Sequence, residues 1–312
     1  MRRIARLRRA TRGAVAVAVL TILGAGTMLY PAGASWFSQL EQSRLVLDYS
    51  VERSGEGAAV EQQALEAARA YNETLPGGAL GDPQDPASAD GSGAIADGYR
   101  AQLATDANGV MARIRIPVIA VDLPVYHGTS EETLRAGVGH LFGSSLPVGG
   151  VGSHAVLTGH RGLPESALFT DLDRVVPGDL VQIDVEGATL TYRIVSSEVF
   201  DPTDTDPLLP VAGRDLLTLV TCTPLGVNSQ RIFVTAERIE NPPAGDPAVA
   251  MPEIPGPPWW SVGLAGAFLL AAVVVTATAR TRGPAPLPAR HGRGRAGQHA
   301  QLPLPAPART FV

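Results

Sequence analysis

Two long apolar runs stand near the ends of the chain. No charged residue occurs in residues 13–40, and residues 254–279 are also uncharged. A helix of roughly 20 apolar residues crosses the hydrocarbon layer of a membrane, so both runs are long enough. Trp259 and Trp260 stand where aromatic residues are typical of a membrane interface. The pattern predicts membrane helices at residues 13–34 and 259–279. A cleaved signal peptide is the alternative for the first run, although its length favours a retained helix.

Between these runs, the first part of the chain has helical periodicity. Residues 36–51 and 58–75 combine helix-forming composition with apolar positions three or four apart, and Ser54 to Gly57 separates them. They predict a helical extension over residues 35–75. Residues 76–98 are rich in Gly, Pro, Asp and Ala and have no evident core, which predicts a loop.

From residue 110 the pattern changes to short β-type runs separated by turn residues. Glu186-Gly187 lies between two runs that alternate apolar and polar positions and predicts a hairpin. Two short helical turns are expected at residues 131–135 and 166–173. Seven or eight strands of this length predict a mainly β domain, a closed antiparallel barrel over residues 99–240. The predicted strands are residues 111–116, 121–126, 154–158, 180–185, 189–195, 216–222 and 231–238.

The charges divide the chain at the same places. All 25 basic residues are Arg; six lie in residues 1–12 and six in residues 280–312, whereas the middle carries 13 Arg and 30 acidic residues, a net charge of −17. Because Arg-rich flanks stay on the cytoplasmic side, both ends are expected in the cytoplasm and the acidic middle outside the cell. Residues 241–258 read as a Pro-rich stalk and residues 280–312 as a disordered basic tail. This distribution argues against a simple soluble enzyme and against a basic nucleic-acid binder.

Cys222 is the only cysteine of the chain, so no intramolecular disulfide forms. It ends a strong β run just before a proline, Arg231 opens the next predicted strand, and His160 follows another strand before a Gly turn. Thiol, imidazole and guanidinium at strand ends suit acyl transfer, as nucleophile, proton donor and oxyanion stabiliser. Taken singly, each residue also fits a bland structural position, and spacing alone leaves both interpretations open.

Several ordered motifs resemble the sortase family, and more specifically class C, the pilus-assembling sortases. They span residues 99–238 and include TLVTCTP (218–224), NSQR (228–231), LTGHRGLP (157–164), GVMARIRIP (109–117) and LPVYHGTSEETLRAGVGHL (123–141). The helical extension, a loop containing Asp82-Pro83 and the second membrane helix are further class C features. Exclusive use of Arg with abundant Ala, Gly and Pro indicates a GC-rich genome, such as that of a Gram-positive actinobacterium.

The resemblance implies an eight-stranded sortase barrel and a membrane-bound cysteine transpeptidase. Cys222 would be the nucleophile, His160 the general acid/base and Arg231 the oxyanion stabiliser, with Thr221, Thr158 and Gly159 supporting the substrate groove. The substrate would be an LPXTG-type sorting signal on a secreted protein, cleaved between Thr and Gly and transferred to a pilin lysine. That chemistry needs no metal or organic cofactor, and no nucleic-acid partner is expected. His127 and His140 are interpreted as polar structural positions near the groove, and His154 has no set of Cys/His companions that would resemble a zinc site.

Two positions depart from the family pattern. Gln230 precedes the Arg where His is frequent, and Gln84 follows Asp82-Pro83 where class C enzymes place an aromatic residue. We therefore expect a lid over Cys222 centred on Asp82, Pro83 and Gln84 that is held more loosely than an aromatic lid, or anchored in another way. The alternatives are a housekeeping-type sortase that attaches proteins to the cell-wall precursor, a non-catalytic sortase-like scaffold, and hydrolysis without transfer.

Overall fold

A computed structural model describes residues 2–55, 57–77, 80–85, 94–104, 108–243, 245–251 and 255–280. The predicted tail at 281–312 and residues 86–93 of the predicted loop lie outside the described residues. The chain forms two compact units, and residues 20–269 make up the one that carries the barrel and the site. The other unit consists of residues 1–19 and 270–312. Its described residues, 2–19 and 270–280, are helical.

Three long helices account for the segments predicted to be helical. Helix α1 is Arg2–Gly55, α2 is Ala58–Thr74 and α5 is Trp259–Arg280; the short helices α3 and α4 are Ala94–Arg100 and Glu131–Ala136. Helix α1 runs without a break from the first apolar run into the extension and contains Pro31. By length and composition α1 and α5 are each able to span a membrane.

Eight strands form a closed barrel in the order β1-β2-β3-β4-β7-β8-β6-β5, as the fold prediction required. The expectation that all pairs are antiparallel is wrong, since β2 pairs with β3 and β4 with β7 in parallel. Strand β3 was not predicted, because a three-residue strand with a central glycine carries too little pattern. The strands are β1 (Val110–Ile116), β2 (Val121–His127), β3 (Val138–His140), β4 (His154–Thr158), β5 (Leu180–Val185), β6 (Ala188–Phe200), β7 (Leu216–Thr223) and β8 (Gln230–Ile239).

The predicted hairpin joins β5 to β6. Glu186 (φ 43°) and Gly187 (φ 69°) both have positive φ, as a two-residue type I′ turn requires. Tyr49 of α1 accepts a hydrogen bond from the Glu186 amide at its hydroxyl (3.2 Å). The Asn72 side chain of α2 exchanges two hydrogen bonds with the backbone of Leu146 (2.8 and 3.1 Å). The helical extension therefore packs against the barrel that it precedes.

Alternation along β4, β7 and β8 separates two apolar clusters. Leu157, Leu219 and Val234 belong to the large cluster that fills the barrel. Their neighbours Val156, Val220 and Phe233 belong to a smaller cluster on the other face, together with Leu141 and Leu208. Side chains two apart along a strand share a face, so Thr158, Cys222 and Arg231 lie on the face of the smaller cluster.

Candidate active site

Cys222 and Arg231 are cross-strand partners at the end of the β7–β8 ladder. Opposed residues of an antiparallel pair place their Cβ atoms about 5 Å apart on the same face. Both side chains are buried, with 8% of each residue exposed. The sequence spacing of nine residues is thus converted by the strand pairing into direct adjacency of thiol and guanidinium.

His160 reaches the same edge from β4. The parallel β4–β7 pairing ends at Thr158 and Val220, and the Gly159 amide still donates to the Val220 carbonyl (3.1 Å). His160 lies two residues beyond Thr158, and Cys222 lies two residues beyond Val220, so both stand at neighbouring strand ends. The imidazole Nε2 lies 3.2 Å from Glu131 Oε2, and 19% of the His160 side chain is exposed.

The guanidinium of Arg231 has hydrogen-bond partners on every nitrogen. Nε and Nη2 donate to the two carboxylate oxygens of Asp82 (3.0 and 2.7 Å), and Nη1 donates to the carbonyls of Asn228 and Gln230 (3.0 and 3.1 Å). The bidentate edge that Arg presents to carboxylates and oxyanions is therefore occupied by Asp82. The backbone contacts at Nη1 fix the guanidinium plane independently of Asp82.

Gln84 lies directly on the thiol. The Cys222 Sγ–H donates to Gln84 Oε1 (2.7 Å), while Gln84 Nε2 donates to Thr158 Oγ1 and to the Gly159 carbonyl (both 3.2 Å). Pro83, which lies between Asp82 and Gln84, is buried. The backbone N–H of Gln84 donates to Asp82 Oδ1 (3.1 Å). Residues 80–85, the lid segment, are held by a polar network and an ion pair where a loose lid was one expectation. The Gln84 carboxamide holds the lid segment through hydrogen bonds, where an aromatic side chain would hold it through apolar contact.

Leu80 anchors the start of the lid segment. Its side chain packs against the smaller apolar cluster, and its carbonyl accepts a hydrogen bond from the Thr205 hydroxyl (2.7 Å). The sequence pattern did not single out Leu80, because an isolated apolar residue in a Gly-rich loop has no periodic signal.

Burial disfavours the thiolate form of Cys222 in the closed site. Burial raises the pKa of the Cys222 thiol above its ordinary value; nearby Arg231 acts in the opposite direction, and Asp82 adds to the rise. Since the thiolate is the nucleophilic form, a raised pKa disfavours the reactive state of Cys222.

The three predicted support residues take part in hydrogen bonds between the ends of β4 and β7. Thr158 and Thr221 are fully buried; Thr158 Oγ1 donates to the Val220 carbonyl (3.2 Å) and Thr221 Oγ1 to the Gly159 carbonyl (2.8 Å). These bonds join β4 to β7 across the site. They fix the backbone from which His160 and Cys222 project.

Two residues of the site were missed by sequence reasoning. Glu131 reaches His160 because α4 leads into β3, which pairs with β4 at Thr158. Arg161 donates to the Thr170 carbonyl and the Thr223 hydroxyl (3.1 and 3.2 Å) and pairs with Asp173. Its position inside the LTGHRGLP motif was the available signal.

The other described histidines are largely buried and hydrogen-bonded to neighbouring residues. His140 is fully buried; its ring nitrogens contact the Tyr99 hydroxyl (2.9 Å) and the Ser145 carbonyl (2.8 Å). Burial lowers the pKa of His140 to about 4, even though the Ser145 carbonyl opposes the change. His154 contacts Leu209 and Thr218, and burial lowers its pKa and that of His127.

Comparison with known proteins agrees with this geometry. The sortase domain model matches residues 114–239. The structure of sortase C-1 from Actinomyces oris is 44% identical and aligns with 58% of this chain and 98% of its own length, with a TM-score of 0.56. The chain belongs to the sortase family.

Further relatives place this sortase within the family. Sortase C-1 from Streptococcus pneumoniae is 36% identical over 64% of this chain and 99% of its own, with a TM-score of 0.58. Both alignments extend well beyond the matched domain, as expected of class C sortases with a helical extension. Sortase D from Bacillus subtilis is 29% identical over 129 residues, 40% of this chain. The chain spans 62% of the length of that curated relative.

Proposed function

We propose that this sortase is a cysteine transpeptidase that cleaves an LPXTG-type sorting signal between Thr and Gly and transfers the product to a pilin lysine. The adjacency of Cys222 and Arg231, with His160 at the neighbouring strand end, is the observation that carries the proposal. The similar structures named sortase C-1 support the class C assignment.

The residues divide the chemistry as follows. The Cys222 thiolate attacks the Thr carbonyl carbon, and Arg231 stabilises the oxyanion once Asp82 has left its bidentate edge. His160 gives its proton to the departing glycine amine, and the C–N bond breaks to leave a thioester on Cys222. A lysine amine then attacks the thioester carbon, an amide forms, and the thiol is regenerated.

Incubation of the full-length protein in detergent micelles with a pilin that carries its sorting signal tests this function. We expect covalent pilin oligomers that disappear with Cys222→Ala. Val118→Ala is the matched control, because Val118 is exposed and lies just after β1. It should still form the pilin oligomers. Cleavage without oligomers contradicts transfer to a pilin lysine and favours the cell-wall precursor or water as acceptor. Cleavage that persists in Cys222→Ala contradicts the thiol mechanism.

We also propose that α1 and α5 anchor this sortase in the membrane with both ends in the cytoplasm and the barrel outside. The two apolar helices and the Arg-rich ends support this topology. In a Cys222→Ala background, a membrane-impermeant maleimide added to intact cells should label Asp85→Cys and leave Ala300→Cys unlabelled. Labelling of Ala300→Cys in intact cells would contradict the proposal that the C-terminal end lies in the cytoplasm.

A further inference from the structure

The Gln84 carboxamide shows which groups the site offers to a nitrogen atom beside the thiol. Its Nε2 carries two N–H bonds, and each has one acceptor, Thr158 Oγ1 and the Gly159 carbonyl, both at 3.2 Å. Its Oε1 lies at the Cys222 sulfur (2.7 Å). The carboxamide is thus a stand-in for an acyl carbon at the thiol with an amino group next to it.

The Thr158 hydroxyl acts only as an acceptor at this position. Its own proton is donated to the Val220 carbonyl (3.2 Å), so the oxygen presents lone pairs to the site. Thr158 is fully buried, and β4–β7 pairing fixes its backbone.

The Gly159 carbonyl is fixed in the same way. It accepts a hydrogen bond from the buried Thr221 hydroxyl (2.8 Å) and keeps a second lone pair for Gln84 Nε2. The two acceptors are therefore in place before any ligand binds, and they match an –NH2 group better than a single peptide N–H.

We infer that Thr158 Oγ1 and the Gly159 carbonyl bind the acceptor amine of the transfer step, at the place that Gln84 Nε2 occupies when the lid segment is closed. A primary amine has two N–H donors and one lone pair. Two acceptors bind the N–H groups and leave the lone pair free to attack the thioester carbon. The C–N bond forms, the C–S bond breaks, and one amine proton ends on the departing sulfur.

This inference rests on the proposed transpeptidase function and makes Thr158 a positioning residue for the acceptor. Gln84 then inhibits by occupying the amine site as well as by covering the thiol. Water needs no second acceptor, so hydrolysis of the thioester depends less on Thr158 than transfer does. The ratio of transfer to hydrolysis is therefore the diagnostic quantity.

The experiment uses the full-length protein in detergent with Asp82→Ala and Gln84→Ala, which free Arg231 and the amine site. A fluorescent LPXTG peptide is the acyl donor and Nα-acetyl-lysine methylamide the acceptor. The measured quantity is the amine concentration at which transfer equals hydrolysis. Loss of one hydrogen bond of about 1 kcal/mol should raise that concentration about fivefold in Thr158→Val. Thr158→Ser, which keeps the hydroxyl, should stay within about twofold of the parent.

The outcomes separate the inference from the proposed function. Cleavage with the same midpoint in Thr158→Val and the parent overturns the amine site, as does an equal shift in Thr158→Ser. Thr158→Ala removes the same acceptor and replaces Thr158→Val if thermal melting shows that the latter does not fold. Absence of Cys222-dependent cleavage in the parent with Thr158 intact contradicts the proposed function itself.

Discussion

In the closed site, two lid side chains take positions that reacting groups of a substrate would occupy. Asp82 takes the edge of Arg231 on which an oxyanion would form, and Gln84 places an amide at the Cys222 sulfur. Opening the lid segment removes both groups together. The reactivity of Cys222 should therefore respond to single substitutions in the lid segment.

Asp82→Asn should lower the pH at which Cys222 becomes reactive. Asp82 raises the pKa of the thiol, and its loss leaves the lowering effect of Arg231 unopposed by that carboxylate. The pH dependence of alkylation by iodoacetamide measures the change, and its midpoint should move to lower pH. Asp85→Asn, an exposed neighbour, is the control. An unchanged or higher midpoint in Asp82→Asn contradicts the electrostatic account.

Glu131→Gln should reduce the rate of peptide cleavage by at most about fivefold. Glu131 pairs with His160 and Arg135, and 54% of its side chain is exposed, so the ion pair is worth about 0–1 kcal/mol. The measurement is kcat/KM for cleavage in the lid-opened Asp82→Ala, Gln84→Ala protein, at low and high salt. The difference from wild-type Glu131 should shrink at high salt. Glu132→Gln, whose carboxylate is not paired with His160, should have no effect; an equal loss there would show that only local charge matters.

At the scale of elements, the lid segment and the strand ends that it covers form one layered unit. Strand alternation gives β4, β7 and β8 a second apolar face outside the barrel, and Leu80 packs on it. The lid segment is therefore attached at both ends, by apolar contact at Leu80 and by polar contacts at Asp82 and Gln84. Within the lid segment only a turn at Asp82–Asp85 forms local hydrogen bonds, so the closed state depends mainly on these tertiary contacts.

Leu80→Ala should favour the open lid and raise the initial rate of peptide cleavage. Truncation of a partly buried Leu should destabilise the closed lid relative to the open lid by about 1–2 kcal/mol. The ratio of closed to open protein would then fall by about 5- to 30-fold. Initial cleavage rates of the full-length protein measure the change. Val211→Ala, a half-exposed apolar position in the loop before β7, is the matched control. A rate unchanged by Leu80→Ala would show that Asp82 and Gln84 hold the lid segment alone.

At the scale of the whole molecule, the buried histidines make stability depend on pH. His140 is neutral in the folded barrel because burial lowers its pKa to about 4, and its ordinary value is 6.5. The unfolded chain binds the proton first as the pH falls, so stability is present above 6.5 and is lost between 6.5 and about 4. His127 and His154 shift in the same direction.

Lowering the pH from 7 to 5 should therefore reduce the free energy of unfolding by about 2 kcal/mol through His140 alone. Urea midpoints of the detergent-solubilised protein at the two pH values measure the loss. His140→Gln should be less stable at pH 7, because its hydrogen bonds to Tyr99 and Ser145 change, yet should lose less stability on acidification. An equal loss in both proteins would place the acid sensitivity elsewhere.

Local pattern was sufficient for most elements of this protein. Seven of the eight strands, the turn at Glu186-Gly187 and the break between α1 and α2 agree with the prediction, because alternation, positive-φ turn residues and helix breakers act within a few residues. Strand β3 and the parallel pairs were not accessible in this way. Their stability comes from partners far along the chain, as in the pairing of β4 with β7.

The sequence by itself determined the apolar end segments, the helical extension, the strand runs and the motifs around His160, Cys222 and Arg231. The tertiary structure alone decided that Cys222 faces Arg231 across a ladder, that Glu131 reaches His160, and that Gln84 holds the thiol by its amide. The physical reason is that periodicity fixes which side chains share a face, whereas strand register and lid contacts join residues up to 149 positions apart. Only the closed barrel brings those residues within hydrogen-bond distance.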